Sequence, residues 1–526
     1  MASLPETGWH WDVFRGLGVS AKVILLGMDG ANPDLLLRWS EEGLLPTLRS
    51  LRERGMTCRL DGPPGCGDDG AWATAYTGVW PSAHGRFYYR RLQAGSYDLP
   101  PFGDDDLRHE PVWNTLSRAG RRVAVVDVPK SPLPRSLNGV YLGDWLVHGR
   151  THRTPVSYPV DFAGETIARF GAAPESLCHF TQPALDAASY EAMLQRLEGA
   201  TRMKRDMCLS TLESEPWDLF FTVFKESHCA GHHGWHLHDT DHPEHSPGIA
   251  AVTGDPLLRA YRAIDAALAD LIAAAGADTT VLAFSVIGMG PNYGLSRLLP
   301  QILARLDPEP RLLLASVRRM AKPLGSWLYR ATGDRTRKLV ASAAGAIGSK
   351  YRTGQPVFAI EPSEHVAGIR LNLAGREPRG RIRPGADAEA YCRRLTADLM
   401  EIVDPESGER LVEDVVPIRE LYSGPAIDCL PDLLVFWNLS RAFQAAASPR
   451  IGVITLRGDV RRTGAHMPGG VLFAAGPGIA RSGFLPARPL VDLAPTVGAL
   501  LGVRLDDSEG TALQGTLPGG TTGFSG

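Results

Sequence analysis

Lys22-Val-Ile-Leu-Leu-Gly-Met-Asp29, followed at once by Gly30-Ala-Asn-Pro33, is the stretch on which the fold turns. An apolar run of this length reads as a strand covered on both faces, as strands of parallel sheets are, and it ends in a carboxylate. Asn32 is then placed to cap a helix and Pro33 to open its first turn, with Leu35, Leu36 and Trp39 on the apolar side. The unit is β-turn-α, and Asp29 stands at the carboxyl edge of the strand, where open α/β sheets hold their ligands.

Working outward, Arg122–Asp127, Leu219–Phe224, Thr280–Ser285, Asp432–Phe436 and Gly470–Ala475 repeat the buried-strand pattern, with helical stretches between several of them. That alternation predicts an α/β fold on a mostly parallel sheet sandwiched by helices. The segment from Leu298 to Gly354 is basic and helix-favouring, with Arg318, Arg319, Lys322, Arg335, Arg337 and Lys338, and reads as an inserted helical cap. The expected organisation is therefore a core of residues 20–297 and 425–512, an inserted cap and small lobe over 298–424, and a disordered Gly- and Thr-rich tail over 513–526.

Directly after the Leu219 run, the stretch Lys225–Asp239 concentrates five of the chain's 15 histidines. If a helical turn follows the strand, His228 and His232 share one face and can converge on a single ion, since residues four apart lie one above the other. Glu226, His236 and Asp239 are candidates to orient such ligands or to touch substrate.

The bulk composition narrows the partner. With 526 residues, 44% hydrophobic, 21% charged and a net charge of -3, nothing argues electrostatically for nucleic acid or an anionic membrane, so a small-molecule substrate is expected. No run of about eighteen apolar residues marks a membrane span. The first residues, with Glu6, Trp9, His10 and Asp12, lack a basic start followed by an apolar stretch, so a cytoplasmic location is expected. The seven cysteines include no C-x-x-C pair and read as reduced thiols.

Several segments carry a family likeness: Met28–Gly30, Gly43–Leu48, Ala71–Gly78 running into Pro81–Gly85, then Gly368–Pro378, Leu430–Leu433, Gly464–Gly469, Gly476–Ile479 and Val491–Val497. Through them the chain resembles the type I phosphodiesterase/nucleotide pyrophosphatase branch of the alkaline phosphatase superfamily. The resemblance implies that fold, and two adjacent divalent metals, usually zinc, with a Thr or Ser nucleophile. For one metal the matching positions are His228, His232 and His466, with His228 where the family has Asp. Three neutral imidazoles would leave the full charge on the ion and bring the pKa of a bound water to about 7.

For the other metal the family uses Asp29, the nucleophile and the Asp-His of a Ser-Asp-His-Gly-Met segment. This chain reads Ser285-Val-Ile-Gly-Met289, and neither Val286 nor Ile287 can coordinate. One divalent metal is therefore expected, zinc first, with iron or manganese as alternatives. The nucleophile position falls on Cys66 counting forward from Pro63-Pro64 and on Asp68 counting back from Trp72. A Cys66 at the N-terminus of a helix beginning near Ala71 would favour its thiolate. Asp68 or Asp69 would instead act as a base, or join Asp29 in a carboxylate site for magnesium or manganese.

The leading functional expectation is a metal-dependent enzyme that hydrolyses or transfers a phosphorus or related oxyanion ester, with Asp29, Cys66 and Asp68 as the catalytic candidates. A non-hydrolytic tailoring enzyme of specialised metabolism using the same three histidines is the alternative. A catalytically degenerate binding protein is the third.

Overall fold

A computed structural model of the chain describes residues 22–146, 154–174, 186–307, 348–349, 352–360, 365–456 and 462–513. The basic segment from Arg318 to Lys338 and the tail beyond Leu513, for which a cap and disorder were expected, lie outside these residues. Among the described residues the strands are β1 (Lys22–Met28), β2 (Met56–Asp61), β3 (Val123–Val126), β4 (Gly139–Gly143), β5 (Val156–Tyr158), β6 (Leu219–Phe224), β7 (Thr279–Ser285), β8 (Gly288–Pro291), β9 (Val357–Ile360), β10 (Val366–Leu371), β11 (Val412–Pro417), β12 (Leu433–Trp437), β13 (Ala445–Ser448), β14 (Gly452–Thr455), β15 (Gly464–Met467), β16 (Gly470–Ala475) and β17 (Gly483–Pro489).

Nine of them form one sheet in the order β17-β2-β16-β7-β1-β6-β3-β4-β5. At its centre β1 pairs in parallel with both β6 and β7, so Leu25 stands beside Phe221 on one side and Leu282 on the other. Ile24, Leu26 and Met28 pack into one apolar layer, and Val23 and Leu25 into the other. This period-2 division between two covered faces is why the run from Val23 to Met28 contains no polar residue: each fully buried aliphatic side chain contributes about 1.5–3 kcal/mol. The parallel rule breaks at β16, which runs antiparallel to both β7 and β2, and at β5, antiparallel to β4. The α/β architecture is as expected, with a large sheet between helical layers.

Helices cover both faces. The helix Pro33–Glu41 is capped as its sequence predicts, with Asn32 Oδ1 accepting from the Leu35 amide at 2.9 Å. With Ala187–Ser214 and Pro256–Ala275 it closes the first layer, while Asp68–Thr77 and Leu493–Leu500 close the second. No helix among the described residues is long and apolar enough to cross a membrane.

A smaller antiparallel sheet, β11-β12-β10-β9, forms a lobe with its own core of Leu395, Leu399, Val435 and Ile369. The run Asp432–Phe436 was expected in the main sheet, but it forms β12 between β10 and β11. β13 and β14 pair with each other, and Ala446 and Ile454 share the lobe's core. β15 pairs with β8 in a two-stranded sheet of its own, and β16 is the next strand of the nine-stranded sheet. An apolar run records burial without recording which sheet buries it, and that is the reason for the difference.

Candidate active site

The carboxyl ends of β1, β6 and β7 bring Asp29, the start of the helix Glu226–His238 and Val286 to one edge of the sheet. The turn after β1 needs Gly30, which has φ +65° and where a Cβ would stand 3.1 Å from the His228 Cα. Since β6 leads straight into a helix, His228 and His232 fall one turn apart on the same face, as the spacing predicts. The third imidazole arrives from the other end of the chain. His466 lies on β15, which pairs antiparallel with β8 in register with Met289. The backbones of β15 and the histidine helix touch: a Cβ at Gly464 would stand 2.1 Å from the Gly231 carbonyl oxygen, so only glycine fits.

The three rings form a nearly equilateral triangle, with centroids 4.6, 4.8 and 4.8 Å apart. All three residues are buried, and one nitrogen from each lies within 4.8 Å of the others. Their orientation is set from outside. Nδ1 of His228 is 2.9 Å from Asp29 Oδ2. Nδ1 of His232 is 2.7 Å from the Gly464 carbonyl. A carbonyl can only accept, so in His232 the proton sits on Nδ1 and Nε2 is the nitrogen able to bind an ion. This donor set fits a divalent metal: three converging imidazoles, with outer acceptors beside two of them. Burial, then Arg462 and the other two histidines, push His232 well below the ordinary histidine range, so the ring is neutral at pH 7.

Asp29 spends both oxygens locally, since Oδ1 accepts from the Trp72 indole at 2.8 Å and Oδ2 faces His228. Burial works against its charge, yet His228 and Trp72 together hold the carboxyl below its ordinary value, with Asp68 opposing them. Asp68 opens the helix Asp68–Thr77 and pairs with Lys130 at 2.7 Å, and its Oδ1 lies 3.9 Å from His466 Nδ1. Asp69 meets Arg86 at 3.1 Å and Lys130 at 3.4 Å. Lys130 has φ +60° and its carbonyl accepts from both Tyr76 and Arg86, so this cluster of buried charges is held from several sides.

The expected thiolate finds no support in its surroundings. The helix begins at Asp68, not near Ala71, and its N-cap is Gly67, which leaves Cys66 outside the first turn. Cys66 packs with Phe87, Tyr422 and Leu434, and burial pushes the thiol far up from its ordinary value, so the reactive form is disfavoured. Val286 and Ile287 are fully buried in the apolar layer with Trp72 and Phe284.

The remaining candidates scatter. Glu226, the first residue of the ligand helix, is fully buried, and its carboxyl oxygens have no hydrogen-bond partner among the described residues. Burial raises its pKa, against Lys204 and Lys225. His236 lies a turn beyond His232, bonded through Nδ1 to Thr463 Oγ1 at 2.9 Å, and burial with His242 and His245 lowers it to about 4. Asp239 caps the end of the helix and accepts from the Trp235 indole at 3.4 Å. Sequence reasoning missed Trp72, Lys130, Arg86 and Arg462 as members of the site. Trp72 stood inside a quoted segment, but the other three carry no spacing signal, because their partners lie far along the chain.

The type I phosphodiesterase/nucleotide pyrophosphatase family matches residues 23–424. No curated protein matches the chain. Among solved structures, phosphonoacetate hydrolase from Sinorhizobium meliloti 1021 is similar in its complex with phosphonoformate, at 15% identity and TM-score 0.49, covering 92% of this chain and 96% of that one. Its complex with phosphonoacetate gives the same values, 15%, 0.49, 92% and 96%. A likeness this slight carries no chemistry. With most of its length matched, the three-histidine cluster in place and the sheet of the expected class, the chain belongs to the type I phosphodiesterase/nucleotide pyrophosphatase family, a metal-dependent family of hydrolase-type enzymes.

Proposed function

We propose that the protein hydrolyses, or transfers a group from, a phosphorus or related oxyanion ester of a small molecule, at one divalent metal held by His228, His232 and His466. The observation that carries this reading is the convergence of three buried imidazoles, His228 beside the Asp29 carboxylate and His232 turned by the Gly464 carbonyl so that its Nε2 is the available donor. A zinc ion in such a set supplies Lewis acidity and lowers the pKa of a coordinated water to about 7.

The protein's own groups do the rest. Asp29 acts through His228, fixing its tautomer and the direction of its lone pair, rather than as a base or a metal ligand. Asp68, fixed by Lys130 and beside His466, is the carboxylate positioned to take the hydrogen bond of an attacking water or alcohol. Cys66 takes no part in this scheme. Burial of the whole edge excludes bulk water and strengthens each of these interactions.

Elemental analysis of the purified protein with a panel of phosphate and phosphonate esters tests the reading. A single equivalent of transition metal is expected, lost together with activity in His232→Ala. Two stoichiometric zincs, or full metal retention in that variant, contradicts it.

A further inference from the structure

We infer that Thr463 is a positioning residue for the histidine triad: its backbone and hydroxyl, held by Asn292 and His236, fix the neighbouring Gly464 carbonyl that gives His232 its tautomer. The inference deepens the reading of the triad as a metal site and rests on it, although one arm of its test needs no metal.

The strand register comes first. β15 and β8 run antiparallel, with Gly464 opposite Pro291. One step earlier the Asn292 amide donates to the Thr463 carbonyl at 2.8 Å, which places that pair among those joined by ladder hydrogen bonds. Backbone groups alternate sides along a strand, so the next carbonyl, that of Gly464, turns out of the ladder. It faces the helix Glu226–His238, where His232 Nδ1 meets it at 2.7 Å. Gly464 has no side chain to hold its own peptide, and a Cβ there would stand 2.1 Å from the Gly231 carbonyl oxygen, so the restraint comes from its neighbours.

Two side chains supply that restraint through Thr463. Asn292 also donates from Nδ2 to the Arg462 carbonyl at 2.9 Å, and its Oδ1 accepts from the Gly294 amide at 2.9 Å, so the residue that grips the segment is itself fixed. His236 acts from the helix. Tyr190 donates its hydroxyl proton to the His233 carbonyl at 3.0 Å, so its oxygen can only accept where it stands 3.4 Å from His236 Nε2. The single proton of the neutral His236 ring is therefore on Nε2, and Nδ1 accepts from the Thr463 hydroxyl at 2.9 Å. One helix thus grips two consecutive residues with bonds of opposite sense: His232 donates to Gly464 and, a turn later, His236 accepts from Thr463. Thr463 and His236 are both buried, so bulk water does not replace a lost partner. The outer histidine serves the inner one and is not a ligand.

The test has two arms, both on the full chain. Zinc affinity is measured by competition with a chromophoric chelator. The tautomer of His232 in metal-free protein is read from the nitrogen spectrum of histidine-labelled material, with His232 assigned by its loss in His232→Ala. The wild type is expected to show His232 in one form, with its proton on Nδ1. Thr463→Val keeps the shape and removes the hydroxyl; a second tautomer of His232 appears and zinc affinity falls about tenfold, the low end for loss of an outer partner. Thr463→Ser restores both, which a purely steric role would not produce. His236→Leu breaks the same bond from the helix side and carries the test if Thr463→Val does not fold; combined with Thr463→Val, it weakens zinc no further than the weaker single variant. A folded Thr463→Val or His236→Leu with wild-type zinc affinity or a single His232 tautomer overturns the inference, and so does a Thr463→Ser as impaired as Thr463→Val. If the wild type takes up no more zinc than His232→Ala, the metal reading falls, while the tautomer arm still decides whether Thr463 sets His232.

Discussion

Two halves of one sheet edge behave in opposite ways. On the side of β6 and β15, His228, His232 and His466 turn three imidazoles toward a common point. On the side of β7, Val286 and Ile287 occupy the corresponding strand end and are fully buried among Trp72 and Phe284. Both halves are equally inaccessible to solvent, so burial does not distinguish them; the donor atoms do. The carboxylates between them show how a site settles when half its ligands are aliphatic. Asp29 and Asp68, each too costly to bury alone, are matched with His228 and Trp72 in one case and Lys130 in the other.

The strongest way to break this contrast is to give the sealed half its donors. In the double substitution Val286→Asp, Ile287→His, two polar groups enter a packed layer, and stability should fall by roughly 3 kcal/mol or more in a denaturant titration. Zinc content should stay below two equivalents, because Asp29 and Asp68 remain engaged. A stably folded variant holding two zincs would show that only the missing donors separate the halves.

A milder change sharpens the open half. Asp29→Asn keeps the size of the side chain but loses the charge that faces His228, and zinc affinity should drop about 10- to 100-fold, as is usual when an outer partner of a ligand is replaced. If Asp29 were itself a ligand or the general base, turnover at saturating zinc would collapse as well, and excess metal would not rescue it.

The smallest expected effect lies in the second helical layer, at His84. Its Nε2 meets Thr74 Oγ1 at 3.1 Å, its Nδ1 accepts from the Arg86 amide at 3.0 Å, and burial, with Arg86 and His109, lowers it to about 3. An unfolded histidine binds its proton near pH 6.5, so below that value the unfolded chain holds a proton the folded chain refuses, and stability falls with pH through the interval from 6.5 toward 3. His236, lowered to about 4, acts in the same direction, and Glu226, raised by burial, acts against both. Denaturant melts at pH 8 and pH 5 should show a smaller acid loss in His84→Gln than in the wild type. An equal loss in both would remove His84 from the account.

The parts of the molecule that sequence makes readable are those whose cause is local. β1, the Asn32 cap and the pairing of His228 with His232 depend on neighbours within a few residues, and each lies where periodicity and capping chemistry put it. His466 could be proposed only through the family likeness, because it reaches the triad by pairing with β8. Arg462, Lys130 and Arg86 stayed hidden for the same reason: nothing near Lys130 in sequence announces Asp68. The start of the helix at Asp68 was misjudged because Cys-Gly-Asp-Asp-Gly reads as a turn, whereas two acidic residues in a first turn suit the positive end of a helix. β12 was assigned to the wrong sheet because its run is apolar in either setting.

The pairing of β8 with β15 has a mechanical consequence. Ile287 ends one residue before β8, and His466 hangs from the strand that β8 carries, in register with Met289. The oily pair therefore works as the footing of a lever whose far arm bears an imidazole: trimming a methyl group there would tilt the third donor without touching any polar atom. Drift in coordination along a lineage could begin in grease and only later reach the histidines.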